Sequence, residues 1–170
     1  MSHSPIKWIC LSALLCLVGT GCLTQANYQG NTLEAFPEEI CGNRHLKTLN
    51  LAPTGIVDFP PEPLAITNPN KVSPIPECLC NLTNLRELNI SGTFLSGLPD
   101  CLPKLQKLEV LDVSYNSELE IDRYGSQLQG LPALKTLNIR GCRYSKEGLE
   151  QLKQRMPEVR ILHNMESRGF

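Results

Sequence analysis

Aromatic side chains are scarce in this chain, one Trp, four Tyr and four Phe among 170 residues, too few flat rings for the stacking platforms of a single-strand nucleic-acid binder. Neither sign of charge is in surplus. Sixteen Lys and Arg stand against seventeen Asp and Glu, for a net charge of −1, so the basic footprint that a nucleic-acid partner needs is missing. The apolar run Ile9 to Val18 falls far short of the roughly 20 residues of a membrane-crossing helix. Histidine is rare at three. Cys78-Leu79-Cys80 has the form of half a metal site, yet no CxxC or paired histidine completes it, so neither a metal nor another cofactor is expected.

What is present is leucine at fixed intervals. LRELNISGTFLSGLP, LEVLDVSYN and LKTLNIRGC restate one phrase, and Leu88, Leu111 and Leu137 stand 23 and then 26 residues apart. Within Leu88-Asn89-Ile90 and Leu111-Asp112-Val113 the period is two, which sends the aliphatic residues to one face of a strand and the polar ones to the other. Such strands are too short to stand alone and become stable only when stacked. Thr93, Asn116 and Cys142 follow the strands at the bend, where a small or polar side chain can bond backbone groups left unpaired, so these three read as structural.

The phrase and its spacing resemble the leucine-rich repeat family. The fold this implies is α/β: a right-handed solenoid with a curved parallel β-sheet on its concave face, a mostly irregular convex side and one C-terminal helix. The domain is expected over residues 33–164, with 165–170 as a tail.

Residues 1–21 read as an export signal, with Lys7 before the apolar run and Gly19-Thr20-Gly21 after it. The junction Val18-Gly19-Thr20-Gly21-Cys22 resembles a bacterial lipobox, although Gly19 stands where leucine is usual. That resemblance implies that Cys22 is lipidated, that its acyl chains hold the protein stably on a membrane, and, since Leu23 rather than Asp follows, that the outer membrane is favoured over the inner. An ordinary signal cleavage after Thr24-Gln25-Ala26 is the rival and would release a soluble secreted protein. Residues 22–32, polar and aperiodic, read as the lipidated cysteine and a tether.

Leu33 to Ile40 copies the second half of a repeat and is expected to cap the array. Leu46 to Pro60 is a full rung. Between Pro60 and Pro76, Leu64-Ala65-Ile66 with Asn70, Val72 and Ile75 fits a degenerate repeat, the alternative being a loop inserted between two rungs. Two good rungs follow, Leu82 to Leu98 and Leu105 to Leu119, then a polar stretch after Asn116 expected to loop out, then Leu131 to Ile139. Ser145 is placed to cap a helix through Leu149, Leu152 and Met156, ended by Pro157 and followed by a strand over 159–162.

Three of the eight cysteines lie in the first 22 residues. Alignment on the prolines sets Cys78 beside Cys101 as the disulfide candidate; Cys41 and Cys80 also align, with a rung between them, and Cys142 reads as a buried thiol. The resemblance places function on the concave side chains: Asn50, Asn89, Asp112 and Asn138 in a central row continued to His163, with Ser91, Ser114 and Arg140 beside it and Tyr115 as an exposed aromatic anchor between Gly92 and Gly141. The plainer alternative is a solvated face whose side chains bond one another. Asp112 and His163 are the only tempting acid and base, at least a rung apart and without a nucleophile, so no enzyme is expected. Asn81-Leu82-Thr83 and Asn89-Ile90-Ser91 form glycosylation sequons. The expected function is a monomeric, non-enzymatic protein- or peptide-binding module at the bacterial cell envelope; the alternatives are a secreted repeat protein of inhibitor or recognition type and an envelope structural protein.

Overall fold

The computed structural model describes residues 24–29, 33–53 and 70–164. Six strands, β1 (Gln25–Asn27), β2 (Thr48–Asn50), β3 (Glu87–Asn89), β4 (Val110–Asp112), β5 (Thr136–Asn138) and β6 (Arg160–Leu162), form one parallel sheet in chain order. Its register is set by one aliphatic column, Ala26, Leu49, Leu88, Leu111, Leu137 and Ile161. The four inner leucines of that column are at most 1% exposed, and each contributes about 1.5–3 kcal/mol by burial. Ala26 and Ile161 are only partly covered, because a solenoid's end strands have a neighbour on one side.

The leucine-rich repeat architecture read from the spacing is present, with four corrections. The first concerns the expected tether. Gln25–Asn27 is the first strand of the sheet, and Tyr28 occupies the core position that Leu51 fills one rung later. The Leu33 to Ile40 segment is therefore the back of a complete first rung. Its strand escaped notice because Ala26 and Tyr28 replace the usual leucines, although Ala26 precedes Leu49 by the same 23 positions.

The second concerns residues 60–76. Leu49 pairs directly with Leu88, so no further strand enters the sheet between them. Asn70 is fully buried and lies at the bend of the β2 rung, where its Oδ1 accepts from the Leu33 N–H at 2.8 Å and its Nδ2 donates to the Leu51 carbonyl at 2.7 Å. Val72 and Ile75 then continue that same rung into the core. Without residues 54–69 the leucines Leu49 and Leu88 would stand 23 apart, as Leu88 and Leu111 do. The chain thus carries an insertion within a rung rather than a degenerate repeat; Leu64-Ala65-Ile66 lies outside the described residues, as do the expected export signal and tail.

The third is the disulfide. Because the rungs of β2 and β3 are neighbours, the 3₁₀ turns Glu38–Gly42, Glu77–Asn81 and Leu102–Lys104 stack in succession on the convex side. Cys78 reaches back to Cys41 and Cys80 forward to Cys101, with Cα separations of 5.5 and 5.9 Å, so the expected Cys78–Cys101 pair does not form. Proline alignment found the right turns but could not assign partners while an extra rung was counted between them.

The fourth is the stretch after Asn116, expected to loop out; elsewhere the convex side is mostly irregular chain with short helical turns, as expected. The stretch after Asn116 forms a 3₁₀ turn, Ile121–Tyr124, and the helix α1 (Gly125–Gln129), which bury Ile121 and Leu128. The helix expected near the end is α2 (Lys146–Arg155), and Ser145 caps it by accepting from the Gly148 N–H at 2.9 Å. Asp122 adds a second cap from the preceding rung, its Oδ2 accepting from the Ser145 N–H at 3.0 Å. On the opposite edge Glu109 bridges Arg86 and Lys135 across three rungs; those two partners hold its carboxyl below the usual range, Lys135 contributing most.

Candidate functional site: the concave row and its upper corner

The central polar row is real, but most of it is committed to its own backbone. Asn27, Asn50 and Asn89 each accept, through Oδ1, from the N–H two residues ahead at 3.0 Å, and Asn138 does so at 3.3 Å. These are Asx turns repeated rung by rung, holding the chain as it leaves each strand. Both oxygens of Asp112 are engaged: Oδ1 accepts from the N–H and Oγ of Ser114 at 2.9 and 2.6 Å, and Oδ2 from Asn138 Nδ2 at 2.9 Å. Among the described residues the Nδ2 groups of Asn27, Asn50 and Asn89 meet no partner, so the row offers donors rather than acceptors.

Several expected site residues stand elsewhere. Ser91 and Ser114 are 3% and 1% exposed and sit under the turns, out of reach of a partner. Leu162, not His163, stands opposite Asn138 in the register; His163 packs edge-on against Tyr144, with ring centroids 6.4 Å apart. Asp112 and His163 therefore form no acid–base pair. Tyr115 is half-buried rather than exposed, in a left-handed conformation with φ 57°, between Gly92 at 61° and Gly141 at 71°. Its N–H donates to the Arg140 carbonyl at 2.6 Å, and a Cβ on Gly141 would lie 3.1 Å from the Tyr115 ring, so glycine is needed for the ring to lie there.

The residue missed by sequence reasoning is Phe94. It is 55% exposed between two fully buried neighbours, Thr93 and Leu95, and its φ is 56°. A left-handed phenylalanine is uncommon and persists only when its surroundings enforce it. Here the cause is Asn116, whose Oδ1 accepts from the N–H groups on both sides, Thr93 at 3.0 Å and Leu95 at 2.8 Å. Pinning the backbone on either side of Phe94 turns its ring to solvent. The only signal in the sequence was an aromatic directly after the bend, where the next rung has Ser117.

The bend itself is held as its residue types imply. Asn116 Nδ2 donates to the carbonyls of Ile90 and Val113 at 2.9 Å and to that of Ser114 at 3.3 Å, Thr93 Oγ1 to that of Ile90 at 2.8 Å, and the Cys142 thiol to that of Val113 at 3.1 Å. Burial raises the Cys142 thiol to about 11. A thiol raised from about 9 stays neutral in the fold while the unfolded chain ionises first, so stability is unaffected below pH 9 and falls between pH 9 and 11. Urea unfolding at pH 8 and pH 10.5 measures this: the loss should shrink in Cys142→Ala, and native protein should resist alkylation at pH 8.

Residues 83–143 match the sequence profile described as leucine rich repeat. Toll-like receptor 10 of Bos taurus is 38% identical over 71 residues, 42% of this chain and 8% of the receptor. Among solved structures, a leucine-rich repeat protein of Leptospira interrogans aligns over 74% of this chain and 27% of its own, with 23% identity and a TM-score of 0.55. An internalin of Listeria monocytogenes aligns over 80% and 35%, with 20% identity and a TM-score of 0.57. The ectodomain of the Arabidopsis receptor kinase HAESA, solved in complex with a peptide hormone ligand, aligns over 76% and 20%, with 24% identity and a TM-score of 0.50. The chain thus spans between 8% and 35% of the length of these relatives. The described residues form a leucine-rich repeat solenoid, with the family's sequence signature over 83–143.

Proposed function

We propose that this protein is a monomeric, non-enzymatic binding module that takes a protein or peptide segment at the upper corner of its concave face. The observation that carries the reading is Phe94, an exposed ring held in a left-handed backbone by two hydrogen bonds that the flanking N–H groups donate to Asn116 Oδ1. A preorganised aromatic loses little freedom on contact, which suits an interface anchor. Tyr115 and Arg140 lie one and two rungs along, and the Nδ2 donors of Asn50 and Asn89 suit the carbonyl oxygens of an extended chain. The HAESA ectodomain holds a peptide, a ligand of the class assigned here.

The location we assign is the bacterial envelope, outer membrane before inner, through a lipidated Cys22. Four cysteines paired as disulfides fit an oxidising compartment, and so support export. A soluble secreted repeat protein is the second reading; it is favoured by the exposed Asn81 of the Asn81-Leu82-Thr83 sequon, and a glycan mass on Asn81 would establish it.

Partners captured from envelope extracts test the binding surface. Phe94→Ala should weaken capture of a partner by about tenfold or more while leaving the urea midpoint in place, because an exposed ring contributes little to the core. Tyr115→Ala should weaken it less. Undiminished capture by a Phe94→Ala, Tyr115→Ala double variant rejects this corner as the binding site.

A further inference from the structure

We infer that export processing cuts upstream of Thr24, and that the first rung then rests directly on the lipid surface with no tether between. The second half of this inference rests on the anchoring reading above; the first does not. The Thr24 carbonyl accepts from the N–H groups of Lys47 and Thr48 at 2.7 and 3.0 Å, and Ala26 stands in register against Leu49. Tyr28 is 6% exposed, and its N–H donates to the Asn50 carbonyl at 2.8 Å. The small-x-small stretch Thr24-Gln25-Ala26 is thus part of the sheet. Cleavage after Ala26 would strip the two bonds to the Thr24 carbonyl and the β1 pairing at Gln25 and Ala26, and would uncover the outer side of Leu49, which is fully buried.

A cut at Cys22 leaves the sheet whole and leaves almost no chain to spare. Gln25 begins β1 three residues after Cys22; at about 3.5 Å per residue, that places β1 within roughly 10 Å of an acylated cysteine. The strand nearest the bilayer carries no charged side chain, its exposed residues Gln25 and Asn27 standing on the concave face at the rim of the sheet. Successive strands step away at about 4.8 Å each, so β6 stands roughly 24 Å further out and the Phe94 turn, which follows β3, roughly 10 Å.

The experiment uses full-length protein expressed in an envelope-bearing bacterium, with the mature amino terminus and its mass determined. Trp8, the only tryptophan, lies in the expected signal, so Gln25→Trp and Arg160→Trp variants report separately on the two ends of the sheet in vesicles of phosphatidylethanolamine and phosphatidylglycerol containing brominated lipid. The expected result is an acylated Cys22 as first residue, with Gln25→Trp fluorescence strongly quenched and Arg160→Trp unquenched. A mature chain starting at Asn27 overturns the inference. A start upstream of Thr24 without acyl mass upholds the cleavage inference and sinks the anchoring reading; an acylated Cys22 with equal quenching at both positions upholds anchoring and overturns the direct seating of the first rung. As a check on the fold, protein beginning at Asn27 should melt roughly 5 °C or more below protein beginning at Thr24; equal melting would remove the argument from β1.

Discussion

Asn116→Ala should lower the unfolding free energy by about 4 kcal/mol and the melting temperature by roughly 10 °C, the largest effect expected of any single polar substitution in this chain. The side chain is fully buried and satisfies the N–H groups of Thr93 and Leu95 and the carbonyls of Ile90 and Val113, with a longer bond to that of Ser114. Alanine would leave the two N–H groups without partners in a dry core, at about 1–3 kcal/mol each before relaxation, and would take one donor from each carbonyl, which keep the Thr93 hydroxyl, the Cys142 thiol and the Gly92 N–H respectively. Asn116→Asp keeps the acceptor and loses the donor, turning a carboxylate oxygen towards carbonyls, and should be no milder. Thr93→Val removes one bond, to the Ile90 carbonyl, and should cost about 1 kcal/mol. Urea midpoints at constant slope report all three. Asn116→Ala also releases the backbone around Phe94, so partner capture should weaken even under conditions where the variant remains folded.

Removing either disulfide should cost roughly 3–4 kcal/mol, since the bridges close separations of 37 and 21 residues in the unfolded chain. Against a total stability of about 5–15 kcal/mol, loss of both should leave the first three rungs marginal or unfolded. The two bridges leave one turn in opposite directions, from Cys78 to Cys41 and from Cys80 to Cys101, so their effects should couple. Cys41→Ser with Cys78→Ser, Cys80→Ser with Cys101→Ser, and all four together form the cycle. Urea slopes should rise with each removal as the denatured chain expands. A four-fold variant as stable as the parent would show that the convex staple contributes nothing.

The core was legible because burial repeats with the rung: wherever Leu49, Leu88, Leu111 and Leu137 keep their spacing, the phrase and the sheet register agree. Two causes hid the rest. A short residue and a ring replace leucines in the first strand, so Ala26 and Tyr28 read as tether. The insertion at 54–69 separates a strand from its own bend, so Asn70 and Val72 looked like a new rung, and that miscount carried into the disulfide assignment. The candidate site was legible as a row of polar residues but not as a surface, because sequence does not say which polar atoms are already used. Asn50, Asn89 and Asp112 bind the next turn, Ser91 and Ser114 are buried by it, and Phe94, the one large exposed hydrophobic among the described residues, is placed by a residue in the following rung.

Peptide mapping of the unreduced protein tests the central claim most directly, that one rung is interrupted by an insertion and that β2 and β3 are therefore neighbours. The result required is a Cys41 peptide linked to the Cys78 side of the Cys78-Leu79-Cys80 turn, a Cys101 peptide linked to its Cys80 side, and Cys142 alkylated only after denaturation. A Cys78–Cys101 link together with a free Cys41 would contradict it, since that pattern belongs to a solenoid with an additional rung between the first two bridged turns.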